Sequence, residues 1–248
     1  MIAFYGGEYE DPVRTYRKWW TEENRPMTRG ILFSHKARTE KFDLVLGANY
    51  HHRIEHLENL EENRLRFNWK TRYRITDRIS FGINGNVMQH KKNLTLAWND
   101  DSTGFYRAYP GGVILQNKTI YNIDPFINLL TKNNGKHSLK GRALVTNTQM
   151  NNDQQNFSEL YFADYQYKKE FKKFKELEFI VGSSFNSVYS RASLYEGRGT
   201  PTNSLKNFSL YSEIRKTFKK KLSVSVGYRK EAYWLNNDKR DDAQIFRG

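Results

Sequence analysis

The chain has 248 residues, 41 basic against 27 acidic side chains, a net charge of +14 and no cysteine, with a mean hydropathy of −0.84. A disulfide framework, thiolate metal sites and cysteine catalysis are thereby excluded in this chain, and so is a helical membrane protein, because no run approaches the ~18 consecutive apolar residues that a spanning helix needs. A soluble basic protein and a β-barrel both survive these figures, since only every second residue of a barrel strand meets lipid.

Residues 1–5 and 30–38 read as weak strands, and 42–51 as a clearer one. From Arg64 the alternation is sharp: Leu65, Phe67, Trp69, Tyr73 and Ile75 oppose Arg64, Arg66, Asn68, Lys70, Arg72 and Arg74. A helix would scatter those charges around its surface, whereas a strand separates them onto one face. From Ile79 the pattern repeats, with Phe81, Ile83 and Val87 against Ser80, Gly82, Asn84 and Asn86. Further strands are predicted at 120–130, 138–146, 160–168, 177–189 and 207–218. The last clear one sets Leu222, Val224, Val226 and Tyr228 against Ser223, Ser225, Gly227 and Arg229. Ten strands are expected between Gly30 and Leu235, with partial strands at both ends. Pro125 falls inside one of them and predicts a bulge or an irregularity on its outer side.

The connections sort by length. Short ones are expected at 39–41, 76–78, 132–135, 171–175 and 219–221, and long ones near 19–26, 52–63, 91–118, 148–156, 195–204 and 236–242. Strict alternation of the two classes trims one end of the sheet and elaborates the other, as in a membrane barrel with periplasmic turns and extracellular loops. Aromatics make up 15% of the chain, which suits residues seated at a bilayer interface.

Four features carry possible chemistry. The basic ladder Arg64, Arg66, Lys70, Arg72 and Arg74 would face a barrel lumen and meet carboxylates or an anionic substrate; on a soluble protein it would be a phosphate stripe or a solvated strand face. The lysine runs at 168–175 and 219–221, interleaved with Phe171, Phe174 and Phe218, could contact nucleic acid by stacking, but their position at short turns favours an interfacial girdle. His51, His52 and His56 with Glu55 have metal-like spacing only if helical, and the segment reads as a strand entering a loop, so no metal is expected. The loop around 98–117 carries Trp98, Phe105, Tyr106, Arg107 and Tyr109 beside glycines, which suits contact with a substrate, although such loops also exist without ligands. The segment Glu196-Gly-Arg-Gly-Thr200 lacks the ending of a phosphate-binding loop, and no nucleophile elbow, catalytic triad or isolated carboxylate pair stands out, so an enzyme is not expected.

Several of these runs, in order, resemble consecutive barrel strands of TonB-dependent outer-membrane receptors of the Bacteroidetes type: Lys41 through Tyr50, Arg64 through Tyr73, Ile79 through Asn86, Tyr121 through Phe126, His137 through Arg142 and Ser158 through Tyr167. The resemblance spans the whole chain and rests on that order, not on a single motif. It implies an all-β fold, an antiparallel up-and-down meander forming a partial transmembrane β-barrel of about 10–12 strands across residues 1–248. It also implies residence in the cell outer membrane, and uptake of a scarce small-molecule nutrient such as a siderophore, cobalamin or oligosaccharide. On this view Arg17-Lys-Trp-Trp20 lies in the first extracellular loop. The implied partners are outer-membrane lipid and lipopolysaccharide, a plug, the remaining barrel strands, and the TonB complex through the plug; no cofactor and no nucleic acid is implied. No secretory signal, TonB box or plug is recognised in the sequence, which ends in Arg247-Gly248 without a terminal aromatic, so the chain is expected to be the N-terminal part of such a barrel, from a fragment or a split frame. Two other readings remain open: a self-contained small barrel acting as a passive channel, and a soluble basic β protein that binds nucleic acid.

Overall fold

The computed structural model describes residues 1–102, 104–171, 174, 176–198, 200–218 and 221–248. Among them, strands dominate. After β1 (Ile2–Glu8) come β2 (Met27–Arg38), β3 (Phe42–Ile54), β4 (Glu61–Arg74), β5 (Ile79–Thr95) and β6 (Val113–Leu130). The chain continues through β7 (Gly135–Met150), β8 (Gln155–Phe171), β9 (Leu177–Ala192), β10 (Thr202–Phe218) and β11 (Leu222–Leu235), then β12 (Asp238–Lys239) and β13 (Ala243–Arg247). Each strand from β1 to β11 pairs antiparallel with its neighbour in sequence, and β11 then takes both β12 and β13 along its far side. The result is a single meander, the all-β up-and-down architecture of an outer-membrane barrel wall, and β1 and β13 each pair on one side only among the described residues. Among the described residues no helix is long and apolar enough to cross a membrane.

Register keeps the two chemical faces apart across the sheet. Trp69 stands opposite Leu46 on β3 and Gly85 on β5, and Gly85 in turn stands opposite Ile123 on β6. Because neighbours across a ladder point to the same side, one face gathers Phe67, Val87, Tyr121, Leu139 and Tyr165, while the other gathers Asn68, Asn86, Asn122, Lys140 and Asp164. The polar face is concave. Its small side chains are shielded, with Ser80, Ser138 and Ser184 buried and Ser209 at 0% exposure, whereas the apolar rows of the other face stand open, up to 76% at Phe4 and Phe246. A globule would fold those rows against a second layer, and here they have none among the described residues.

Glycines let rings lie on the sheet. A side chain on Gly85 would meet the Trp69 ring at 2.1 Å, so the indole covers β5 only because that position is bare. Pro125 makes a gap and not a bulge: the β6–β7 register is the same at Ile123↔Ala143 and at Phe126↔Lys140, and only the pairs between are missing. Proline has no N–H to give there.

The strands run further than alternation indicated. β5 and β6 stay paired to Thr95↔Val113, and β7 and β8 to Gln149↔Gln155. The expected long loop at 148–156 is therefore the turn 151–154, no longer than the 131–134 turn at the other end, and the strict short–long alternation fails there. Backbone hydrogen bonds persist where the alternation lapses, into polar ends such as Gln149 and Gln155 and into the unbroken apolar run Val113-Ile114-Leu115, so sequence pattern ends a strand too early. The connections 9–26, 96–112 and 193–201 remain the long ones.

Candidate functional site

Two regions have the density of polar or aromatic groups that a site requires: the concave wall, and the crown of loops at its elaborated end.

On the wall, the alternation of β4 sends Arg64, Arg66, Lys70, Arg72 and Arg74 to the concave face as one column. Their partners differ. Arg74 forms an ion pair with Asp43 of β3, directly across the ladder from Arg72, and Arg38 reaches the same carboxylate at 3.3 Å. Arg72 donates to Ser80 Oγ at 3.3 Å and Arg66 to Met88 Sδ at 3.2 Å, while Arg64 lies 3.7 Å from Glu62. Lys70 has no side-chain partner among the described residues. Further round the wall, Arg142 of β7 makes a two-pronged bond to Asp124 of β6, 2.8 Å from Nε and from Nη2, across the gap left by Pro125.

In the crown, the 96–112 loop folds back on itself. Trp98 bridges to Ala108, and Asn99 N–H donates to Arg107 O at 2.8 Å. Asp100 closes its tip by accepting from the Gly104 N–H at 2.9 Å, the Ser102 N–H at 2.7 Å and the Ser102 hydroxyl, bonds that hold its carboxyl below the usual carboxylate range. Phe105 packs on Trp98 with centroids 5.6 Å apart, and Tyr106 packs edge-on against Phe105 at 5.1 Å.

Loops from three hairpins then lock together. Tyr106 meets His56 of the 55–60 connection and Trp20 of the 9–26 connection, and its carbonyl accepts from Glu58 N–H at 2.7 Å. Trp19 Nε1 donates to His56 O at 2.7 Å, Trp20 is 5% exposed, and the Arg17 guanidinium sits 4.4 Å over the Phe105 ring. A ring stack of this kind adds about 0.5–1.5 kcal/mol per pair beyond burial, so the crown is a packed unit and not three independent loops.

The sequence-derived residues therefore divide. Phe105 and Tyr106 serve inter-loop packing, whereas Trp98 at 52% exposure, Tyr109 at 55% and Arg107 point outward. Sequence reasoning missed the packing roles of Arg17, Trp19, Trp20 and His56, for which the Trp19-Trp20 doublet in a polar segment was the available signal. His51 and His52 fall on opposite faces of β3: His51 Nδ1 pairs with Tyr5 OH at 2.8 Å and His52 Nδ1 with Asn63 Oδ1 at 2.9 Å. Among the described residues no group of three or more His, Asp or Glu could hold a metal ion. Of the lysine runs, Lys172, Lys173, Lys175, Lys219 and Lys220 lie outside the described residues, as does Gly199 of the 196–200 segment. Phe171, Phe174 and Phe218 beside them are exposed.

No family model matches the chain. No curated protein matches it either. Solved structures do. The siderophore receptor PirA from Pseudomonas aeruginosa is similar with a TM-score of 0.66 at 10% identity, covering 99% of this chain and 38% of that one. The RagAB peptide importer is similar at 0.65 and 11% identity over 90% of this chain and 33% of the other. The alcaligin outer-membrane receptor FauA from Bordetella pertussis follows at 0.57 and 15%, over 90% and 37%. These likenesses show the fold, that of an antiparallel β-barrel wall, and the chain spans about a third of the length of those proteins.

Proposed function

We propose that the chain forms the N-terminal part of the barrel wall of a TonB-dependent outer-membrane receptor for a scarce small-molecule nutrient such as a siderophore, cobalamin or oligosaccharide. In this reading the convex apolar rows face outer-membrane lipid and lipopolysaccharide, and the short turns lie in the periplasm. A plug and the remaining strands complete the barrel, and the TonB complex acts through the plug. The loop crown captures ligand, with Trp98, Arg107 and Tyr109 presenting ring faces and a cation outward, while Phe105 and Tyr106 fix their positions. The basic ladder lines the lumen through which the ligand passes once the plug shifts. The observation that carries this reading is the division of strands such as β4, β5 and β11 into an open apolar convex row and a polar concave row, on a wall similar in fold to solved receptors.

Because the chain has no cysteine, single-cysteine labelling tests it cleanly. In intact Gram-negative cells producing the receptor, a membrane-impermeant maleimide is expected to label Tyr109→Cys but not Thr76→Cys, at the opposite end of β5. Equal labelling of both before lysis would remove the membrane orientation on which the receptor reading stands.

A further inference from the structure

At the short-turn end of the concave wall is a cavity of about 750 Å³ bordered by β3 to β7. Its shape follows from side-chain size. The β5 positions Ser80 and Gly82 make a low floor, and the Phe126 ring lies across Gly82, where any side chain would meet that ring at 2.7 Å and the Thr71 carbonyl at 2.0 Å. On one bank β4 raises Lys70, Arg72 and Arg74, and on the other β7 raises Lys136. Arg78 of the β4–β5 turn closes the end. With strands about 4.8 Å apart, the banks stand ~14 Å from each other, and long side chains lean into that width.

The charge inside is unbalanced. Five cations line the cavity against two carboxylates, Asp43 and Asp77. Arg74 and Arg38 already occupy Asp43. Arg72 has only the Ser80 hydroxyl, and Lys70, Arg78 and Lys136 have no side-chain partner among the described residues. Like charges gathered in a concave wall raise the local potential and concentrate anions there, and guanidinium and ammonium groups together suit carboxylate or phosphate oxygens. A cavity of this volume is in the range that holds a small organic molecule, about 300–1,000 Å³.

We infer that this trough binds a compact small-molecule polyanion, one carrying several carboxylates or phosphates, at the end of the lumen opposite the loop crown. The cations stand on both banks, so a compact anion is surrounded, whereas an extended acidic peptide turned toward one bank engages one column of them. The inference rests on the barrel reading, because only there is this face a lumen.

Citrate is the probe. It is titrated calorimetrically into the full chain, folded in detergent micelles at low ionic strength, with strand content and liposome insertion measured on the same preparations. Saturable citrate binding is expected, weakened at least tenfold in Lys70→Gln/Arg72→Gln and in Lys136→Gln. Lys118→Gln, whose lysine lies opposite His90 toward the far end of β6, is expected to bind as the native chain does. Binding that all variants share equally, or none in the native chain, overturns the site. Displacement of citrate by a Glu-rich decapeptide at lower concentration than citrate itself needs overturns it in favour of a protein segment. A chain that inserts into liposomes yet ignores citrate loses the trough and keeps the barrel, and a chain that folds without detergent and never inserts loses both.

Discussion

Replacing Ile83 with arginine tests the solvent of the convex face directly. Ile83 is the middle of the outward row that runs from Ile79 through Phe81 and Gly85 to Val87. Eight residue steps at about 3.3 Å, inclined ~40° to the barrel axis, span about 20 Å, close to the ~25 Å apolar band of such barrels. The position is thus about 10 Å from either interface, where an arginine facing lipid costs about 2–4 kcal/mol. The backbone is not disturbed by the change, because the Ile83 N–H and carbonyl bond to Thr71 Oγ1 at 3.0 and 2.8 Å. On a water-facing strand the same substitution at a position 44% exposed stays within about 0.5 kcal/mol. Asn86→Arg, on the concave face between Asn68 and Asn122, is the matched control and is expected to stay near neutral. Urea titration in liposomes, followed by the fluorescence of the five tryptophans, measures both. At about 1.4 kcal/mol per factor of ten, Ile83→Arg should lower the folding equilibrium between roughly thirtyfold and a thousandfold. Equal stability of the two variants would refute the assignment of lipid to the convex side.

Two further outcomes concern the crown. Trp20→Ala removes the ring that meets Trp19 and Tyr106, a local loss on the order of 3–5 kcal/mol; limited proteolysis should then cut the 9–26 and 96–112 loops together while the strand signal in circular dichroism stays unchanged, and cutting of one loop alone would show that they are not coupled. The Asp100 carboxyl, held below its ordinary range first by the Gly104 N–H and then by Ser102, contributes to the folded loop tip above the normal carboxylate pKa and loses that contribution as pH falls through the lowered value. Proteolytic protection of residues 98–108 should therefore fall on acidification below about pH 4 in the native chain, whereas Asp100→Asn should be less protected at neutral pH and insensitive over the same range.

Strand existence, strand order and the sorting of side chains onto two faces were legible in the sequence, because a period of two needs no knowledge of neighbours: Arg64 to Ile75 separates its charges from its rings in any antiparallel setting. The column of cations on β4 was legible for the same reason. Strand ends were not, since pairing such as Gln149↔Gln155 continues where both faces are polar. Only the folded sheet decided what lies beside what. Register brought Lys136 of β7 across a floor of Ser80 and Gly82 from Lys70 of β4, and loop packing set Trp20 and His56 against Tyr106, across separations of many tens of residues. Local alternation is written residue by residue, but a trough or a knot of rings depends on cross-strand spacing and curvature, which arise when backbone hydrogen bonds fix the strands side by side.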